Sequence, residues 1–173
     1  MPLTLRNAPV YLLTTASDPL TLRTVDMYLL VEDVLPLPQG ISGYDAVYAM
    51  IQAAASETLV LSNTTLSDPE EEAGESTNSA VVLTAQPGSG FSGSVRLLYN
   101  RSELPRAFLG GVPVVIEGET TAHELLPKIN AATGMVLEER DIENTAIVGA
   151  SVTLTASATS YYFLPGSQQQ VGG

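Results

Sequence analysis

Val81-Val82-Leu83-Thr84-Ala85 returns later in the chain as Val152-Thr153-Leu154-Thr155-Ala156. Each run is short, apolar and rich in β-branched residues, the composition of a strand. The match spreads outward from these two stretches. Ahead of the first lie Leu66, then Val60-Leu61, then Val47, Ile51, Ala53 and Ala54. Ahead of the second lie Ile142, then Val136-Leu137, then Leu125, Ile129, Ala131 and Ala132. Ile129 follows Ile51 by 78 residues and Leu154 follows Leu83 by 71. Apolar positions recurring in the same order mark an internal repeat, with one copy over residues 42–95 and the other over 120–167.

Each copy opens on a helix. Tyr44, Val47, Tyr48, Ile51 and Ala55 keep helical spacing, so residues 44–55 read as a helix with one apolar face. Ser42 falls in its N-cap region, and Asp45 places a carboxylate at the positive helix end. In the second copy the helix begins near Thr121, where Glu124 three residues on completes a capping-box pattern. Leu125, Leu126, Ile129 and Ala132 carry the spacing forward, and Gly134 suits the left-handed C′ position. Pro127 conflicts with an uninterrupted helix and predicts a kink or a later start. Strands are expected at residues 58–62, 81–85 and 94–99 in the first copy, and at 135–137, 151–156 and 161–164 in the second. A further strand is expected at 112–116. Pro87-Gly88-Ser89-Gly90 supplies a turn. Gly93-Ser94 and Gly166-Ser167 end matched segments. Two helices, each covering a mostly antiparallel sheet, make an α+β fold.

The lead-in, residues 1–41, reads as an extended segment with a strand near 10–14 and another at 24–31, whose near-continuous apolar run also fits a buried helix turn, ended by Pro36, Pro38 and Gly40. The expected organisation is therefore 1–41 as lead-in, 42–100 as the first α+β repeat, and 101–173 as the second repeat with a polar tail. Gln168-Gln169-Gln170-Val171-Gly172-Gly173 is uncharged and polar, and on its own such a tail frays.

A chain of 173 residues, 45% hydrophobic and 15% charged, has the composition of a folded protein of one or two small domains. Its net charge is −12, with Lys128 as the single lysine beside six arginines. Without clustered cations, neither nucleic acid nor an anionic membrane is an expected partner. Cysteine is absent, which excludes disulfides and thiolate chemistry. The start Met1-Pro2-Leu3-Thr4-Leu5-Arg6 lacks the pattern of a signal peptide, and the apolar run near Leu29 is too short to span a bilayer. A soluble protein made in the cytosol is expected.

The residues that carry chemistry elsewhere are sparse. His123 is the single histidine and sits in the first turn of the second helix, where a surface or capping role is expected. Lys128 reads as a residue of that helix's exposed face. Gly88-Ser89-Gly90-Phe91-Ser92-Gly93 lacks the lysine and the following helix of a phosphate loop. Glu117 and Glu119 lie at strand spacing, as solvent-facing pairs do. Pro69-Glu70-Glu71-Glu72-Ala73-Gly74-Glu75 reads as a solvated charge run, suited to docking on a basic patch; its carboxylates lack the spacing of a calcium loop. No catalytic, cofactor-binding or metal-ligating residue is assigned, and the chain is not expected to be an enzyme.

The segment Thr121-Ala122-His123-Glu124-Leu125-Leu126-Pro127-Lys128-Ile129-Asn130-Ala131-Ala132-Thr133-Gly134-Met135-Val136-Leu137, followed by Asp141-Ile142, resembles a recurrent helix-to-strand pattern in structural proteins of large tailed bacteriophages. The resemblance covers about the last third of the chain, and the first repeat more loosely, with Ser56-Glu57 where the pattern has Thr-Gly. It implies a virion component, a head decoration, neck or tail-baseplate subunit, that binds other virion proteins and copies of itself. It carries over no catalytic residue and no cofactor. Residues 1–13 or 164–173 are expected to make intermolecular contacts. The alternative is a free-standing glycan- or host-protein-binding module, with Tyr44, Tyr48, Tyr99, Tyr161 and Tyr162 as stacking surfaces. Tyrosines clustered round one concave surface would distinguish it.

Overall fold

A computed structural model describes residues 20–21, 28–34, 40–54, 63–72, 77–88, 91–108, 112 and 114–172. The fold is α+β. Its strands are β1 (Leu20–Thr21), β2 (Tyr28–Val34), β3 (Thr64–Leu66), β4 (Glu70–Glu71), β5 (Ser79–Ala85), β6 (Phe91–Ser92), β7 (Ser94–Asn100), β8 (Ser151–Thr155) and β9 (Gln168–Gly172). Its helices are α1 (Gly43–Ala54) and α2 (Ala122–Thr133). The chain divides into two compact units. One comprises Met1–Val34 and Tyr48–Asn100, the other Leu35–Val47 and Arg101–Gly173. The division falls inside α1, whose first turn belongs with the C-terminal residues.

The first unit is built on β5. β7 pairs with it antiparallel, from Ser79↔Tyr99 to Thr84↔Ser94. Its other edge is shared by β3 and β4, both antiparallel. Between them the chain bends at Ser67, whose N–H donates to the Val82 carbonyl while its Oγ accepts from the Val82 N–H. β2 joins β7 in parallel as the edge of this mostly antiparallel sheet, and β1 pairs with β6 in a separate parallel two-stranded sheet. Val81, Leu83, Leu97 and Tyr99 are buried.

The second unit centres on α2, whose Ala122, Leu125, Leu126 and Ile129 are buried, and on the pair β8–β9. Here several expectations are corrected. The partner of β8 is β9, from Ser151↔Gly172 to Thr155↔Gln168, and not residues 161–164. Those residues carry only a bridge, Ser102↔Phe163, and bury Tyr161, Tyr162 and Phe163 in a loop. The polar tail does not fray: Val171 is buried, while Gln168 and Gln170 face outward beside the β8 hydroxyls. Residues 112 and 114–116 form no strand. Nor do residues 135–137, where a bridge at Met135 precedes a side-chain grip on Leu137. The helix passes through Pro127, which sits on its exposed face.

Set side by side, the units share an internal plan. Ala85 N–H donates to Gly93 O before β7, and Ala156 N–H donates to Ser167 O before β9. Gly93 and Gly166 both have positive φ, 87° and 72°. Each thus lets the chain enter its returning strand through a conformation that glycine tolerates. The Gly-Ser pairs therefore precede the returning strands rather than closing the repeats. The neighbour on the other side of each central strand also recurs, as Leu66↔Leu83 and Ile142↔Ala156. Relative to the sequence match, the second pairing is shifted by two residues, which preserves the buried face. The expected strands at 10–14 and 58–62 lie outside the described residues, as does the start of the one expected at 24–31.

Candidate functional site

Several residues of the Thr121–Leu137 pattern have a structural task. Thr121 is the N-cap residue in extended conformation but makes no side-chain cap. The expected Thr121–Glu124 capping box does not form. Glu124 Oε2 instead accepts from the Thr120 N–H at 2.7 Å and the Thr120 hydroxyl at 3.1 Å, contacts that hold its carboxyl below the usual range. The first helical N–H groups are met by the loop opposite. Ala122 N–H donates to Thr145 O at 2.8 Å and His123 N–H to Asn144 Oδ1 at 3.3 Å. With those donors satisfied, a side-chain cap from Thr121 is superfluous. At the other end Gly134 adopts φ 72° and donates to Asn130 O, the left-handed stop read from the sequence.

Asn130 then fixes the exit of the chain. Its Oδ1 accepts the Leu137 N–H and its Nδ2 donates to the Leu137 carbonyl, both at 2.9 Å. Beyond it, Glu138 and Asp141 form a reciprocal capping box around the turn Glu139–Asp141. Asp141 is buried, and its Oδ1 accepts the Ser160 hydroxyl at 2.8 Å. Burial raises its pKa against the hydrogen bonds from Glu138 and Ser160, which act to lower it. Arg140 donates to Thr159 O from Nε and Nη2, and its guanidinium lies 4.2 Å from the centre of the Tyr161 ring. The turn is thereby locked to residues 157–163.

The two unique side chains also have local partners. His123 Nε2 lies 2.7 Å from Ile142 O, and Nδ1 is 3.9 Å from a Glu139 carboxylate oxygen. The histidine ties α2 to the following turn. Lys128 is half-buried rather than displayed: Nζ reaches Glu119 Oε1 at 2.7 Å, Glu117 Oε2 at 3.2 Å and Val115 O at 3.1 Å. Paired first to this ammonium and then to the Glu117 N–H, the Glu119 carboxyl is lowered to about 2, and Lys128 is raised in turn. This cluster escaped the sequence reading; its one signal was the strand spacing of Glu117 and Glu119, opposite the single lysine. Val114, Val115, Glu117, Lys128, Ala131 and Ala132 line a shallow depression of about 380 Å³.

In the first unit, Glu70 and Glu71 are exposed on β4, and Glu72 pairs with Arg96 of β7. Of the tyrosines, Tyr48, Tyr99, Tyr161 and Tyr162 are buried, which leaves Tyr44 as the partly exposed one of the five. Tyr44 packs edge-on against Tyr161, with ring centres 5.9 Å apart. A tyrosine stacking platform is not what these residues build. Among the described residues no three His, Cys, Asp or Glu side chains converge as a metal site, and no helix is long and apolar enough to cross a membrane.

No curated protein and no solved structure matches the chain. A family model does match, over residues 41–169, and takes in α1, α2, the acidic segment and nearly all of the second unit. The chain belongs to the Family of unknown function (DUF7941).

Proposed function

We propose that this chain is a non-enzymatic structural or adaptor protein of a tailed-phage virion, binding neighbouring capsid, neck or tail-baseplate proteins. The observation that carries the reading is the use made of the phage-like pattern. Asn130 grips Leu137, Gly134 stops α2, and Asp141 closes the next turn on Ser160. The polar residues of the pattern are spent on holding a frame, which is what an assembly module requires. The buried tyrosines remove the main support for a glycan-binding module.

The test is fractionation of purified particles into capsids and tails, with the protein followed by quantitative mass spectrometry. Co-sedimentation with one fraction in fixed stoichiometry supports the proposal. A protein found in infected cells and absent from every particle fraction refutes it.

A further inference from the structure

The depression beside Lys128 has a floor and an end of different chemistry. Buried Val114, Val115 at 68% exposure, and the exposed Ala131 and Ala132 of α2 make the floor apolar. At the polar end one ammonium, Lys128, faces two carboxylates, Glu119 and Glu117. Glu119 is turned into the cluster, whereas the Glu117 side chain is 71% exposed. The end therefore carries surplus negative charge within reach of solvent. Phosphate-bearing partners are repelled by it and by the net charge of −12.

We propose that this groove docks an apolar–basic segment of a neighbouring protein. The aliphatic stem of an arginine or lysine lies along Val115, Ala131 and Ala132, and its cationic head meets Glu117. Long basic side chains cover apolar surface in this way while the charge stays at the edge. The inference gives the adaptor reading a surface, and it rests on that reading for the partner being a virion protein.

Backbone NMR spectra of the whole protein, titrated with three short synthetic peptides, test it. One peptide alternates leucine and arginine, one leucine and glutamate, and one glycine and arginine. The expected result is shifts confined to residues 114–117 and 128–132 with the leucine–arginine peptide alone. Val115→Asp adds negative charge, so attraction by charge alone would strengthen binding; docking on the apolar floor predicts that it abolishes binding. Ala131→Glu, at an exposed position of α2, predicts the same loss with the fold kept. Glu117→Gln is expected to weaken binding about tenfold. Absent shifts, shifts scattered over the acidic surface, or stronger binding by Val115→Asp or Ala131→Glu would overturn the proposal. Because the titration needs no particle, its failure is distinct from failure to co-sediment.

Discussion

Asn130 and Leu137 are joined by two hydrogen bonds of 2.9 Å, the amide of one side chain meeting both backbone groups of the other residue. The amide does here what a neighbouring strand would do, so residues 135–137 need no ladder. Asn130→Ala leaves a buried residue's N–H and C=O without these partners and is expected to cost about 1–3 kcal/mol. Asn130→Asp keeps the acceptor but turns an anionic oxygen toward the Leu137 carbonyl, and should cost no less. Urea unfolding monitored by circular dichroism measures both. A loss below about 0.5 kcal/mol for either variant would show the clamp to be idle.

Gly43 opens α1 against the ring of Tyr162. A Cβ there would stand 2.9 Å from Tyr162 Cδ2 and 3.1 Å from Tyr161 Cβ. The ring has little room to withdraw, since its hydroxyl donates to Ser42 O at 3.3 Å. Gly43→Ala should therefore destabilise by about 1–3 kcal/mol through overpacking and alter the tyrosine near-ultraviolet circular dichroism. Gly134→Ala serves as the comparison: its Cβ meets nothing within 4 Å, and its penalty of about 1 kcal/mol comes from positive φ. Unchanged stability in Gly43→Ala would mean that the contact relaxes freely.

The helices, the β5–β7 pair and the strand β8 were legible because periodicity, glycine stops and β-branched runs report local structure directly. Ser42 fulfils its expected cap, its Oγ accepting the Asp45 N–H at 3.2 Å. The errors came where tertiary context overrides local pattern. Gln168, Gln169 and Gln170 have weak strand propensity, yet β8 offers them an edge and Val171 enters the core. Tyr161, Tyr162 and Phe163 have strong strand propensity, yet Ser160 Oγ accepts the N–H groups of Tyr162 and Phe163 and curls the segment into a loop. The Lys128 cluster was hidden because its carboxylates come from the irregular segment just ahead of α2, whose path back along the helix no periodicity predicts.

The Glu119–Lys128 pair makes part of the stability depend on acid. Folding lowers the Glu119 carboxyl from 4.5 to about 2. A carboxyl lowered on folding contributes fully above its unfolded value and loses that contribution as pH falls through its folded value. The stability difference between wild type and Glu119→Gln should therefore be greatest above pH 4.5 and shrink between there and about 2. Asp141, raised by burial, acts with the opposite sign, losing stability as pH rises from its ordinary 3.8 toward its raised folded value, so the comparison must be made against the variant at each pH. A difference independent of pH across this window would show that Glu119 is not held by the lysine.

The C-terminal strand should be indispensable to the second unit. Val171 is buried opposite Val152, and Gln168 pairs with Thr155 at the far end of the ladder. Val171→Asp places a carboxylate among aliphatic side chains and should cost about 2–4 kcal/mol, or force the strand out. Truncation after Ser167 removes β9 altogether and exposes Val152 and Leu154, so faster amide exchange is expected along β8. Exchange in β5 and β7, which belong to the other unit, should respond far less. If truncation leaves β8 protection intact, the pairing is dispensable; if β5 and β7 lose protection equally, the units do not fold as separable bodies.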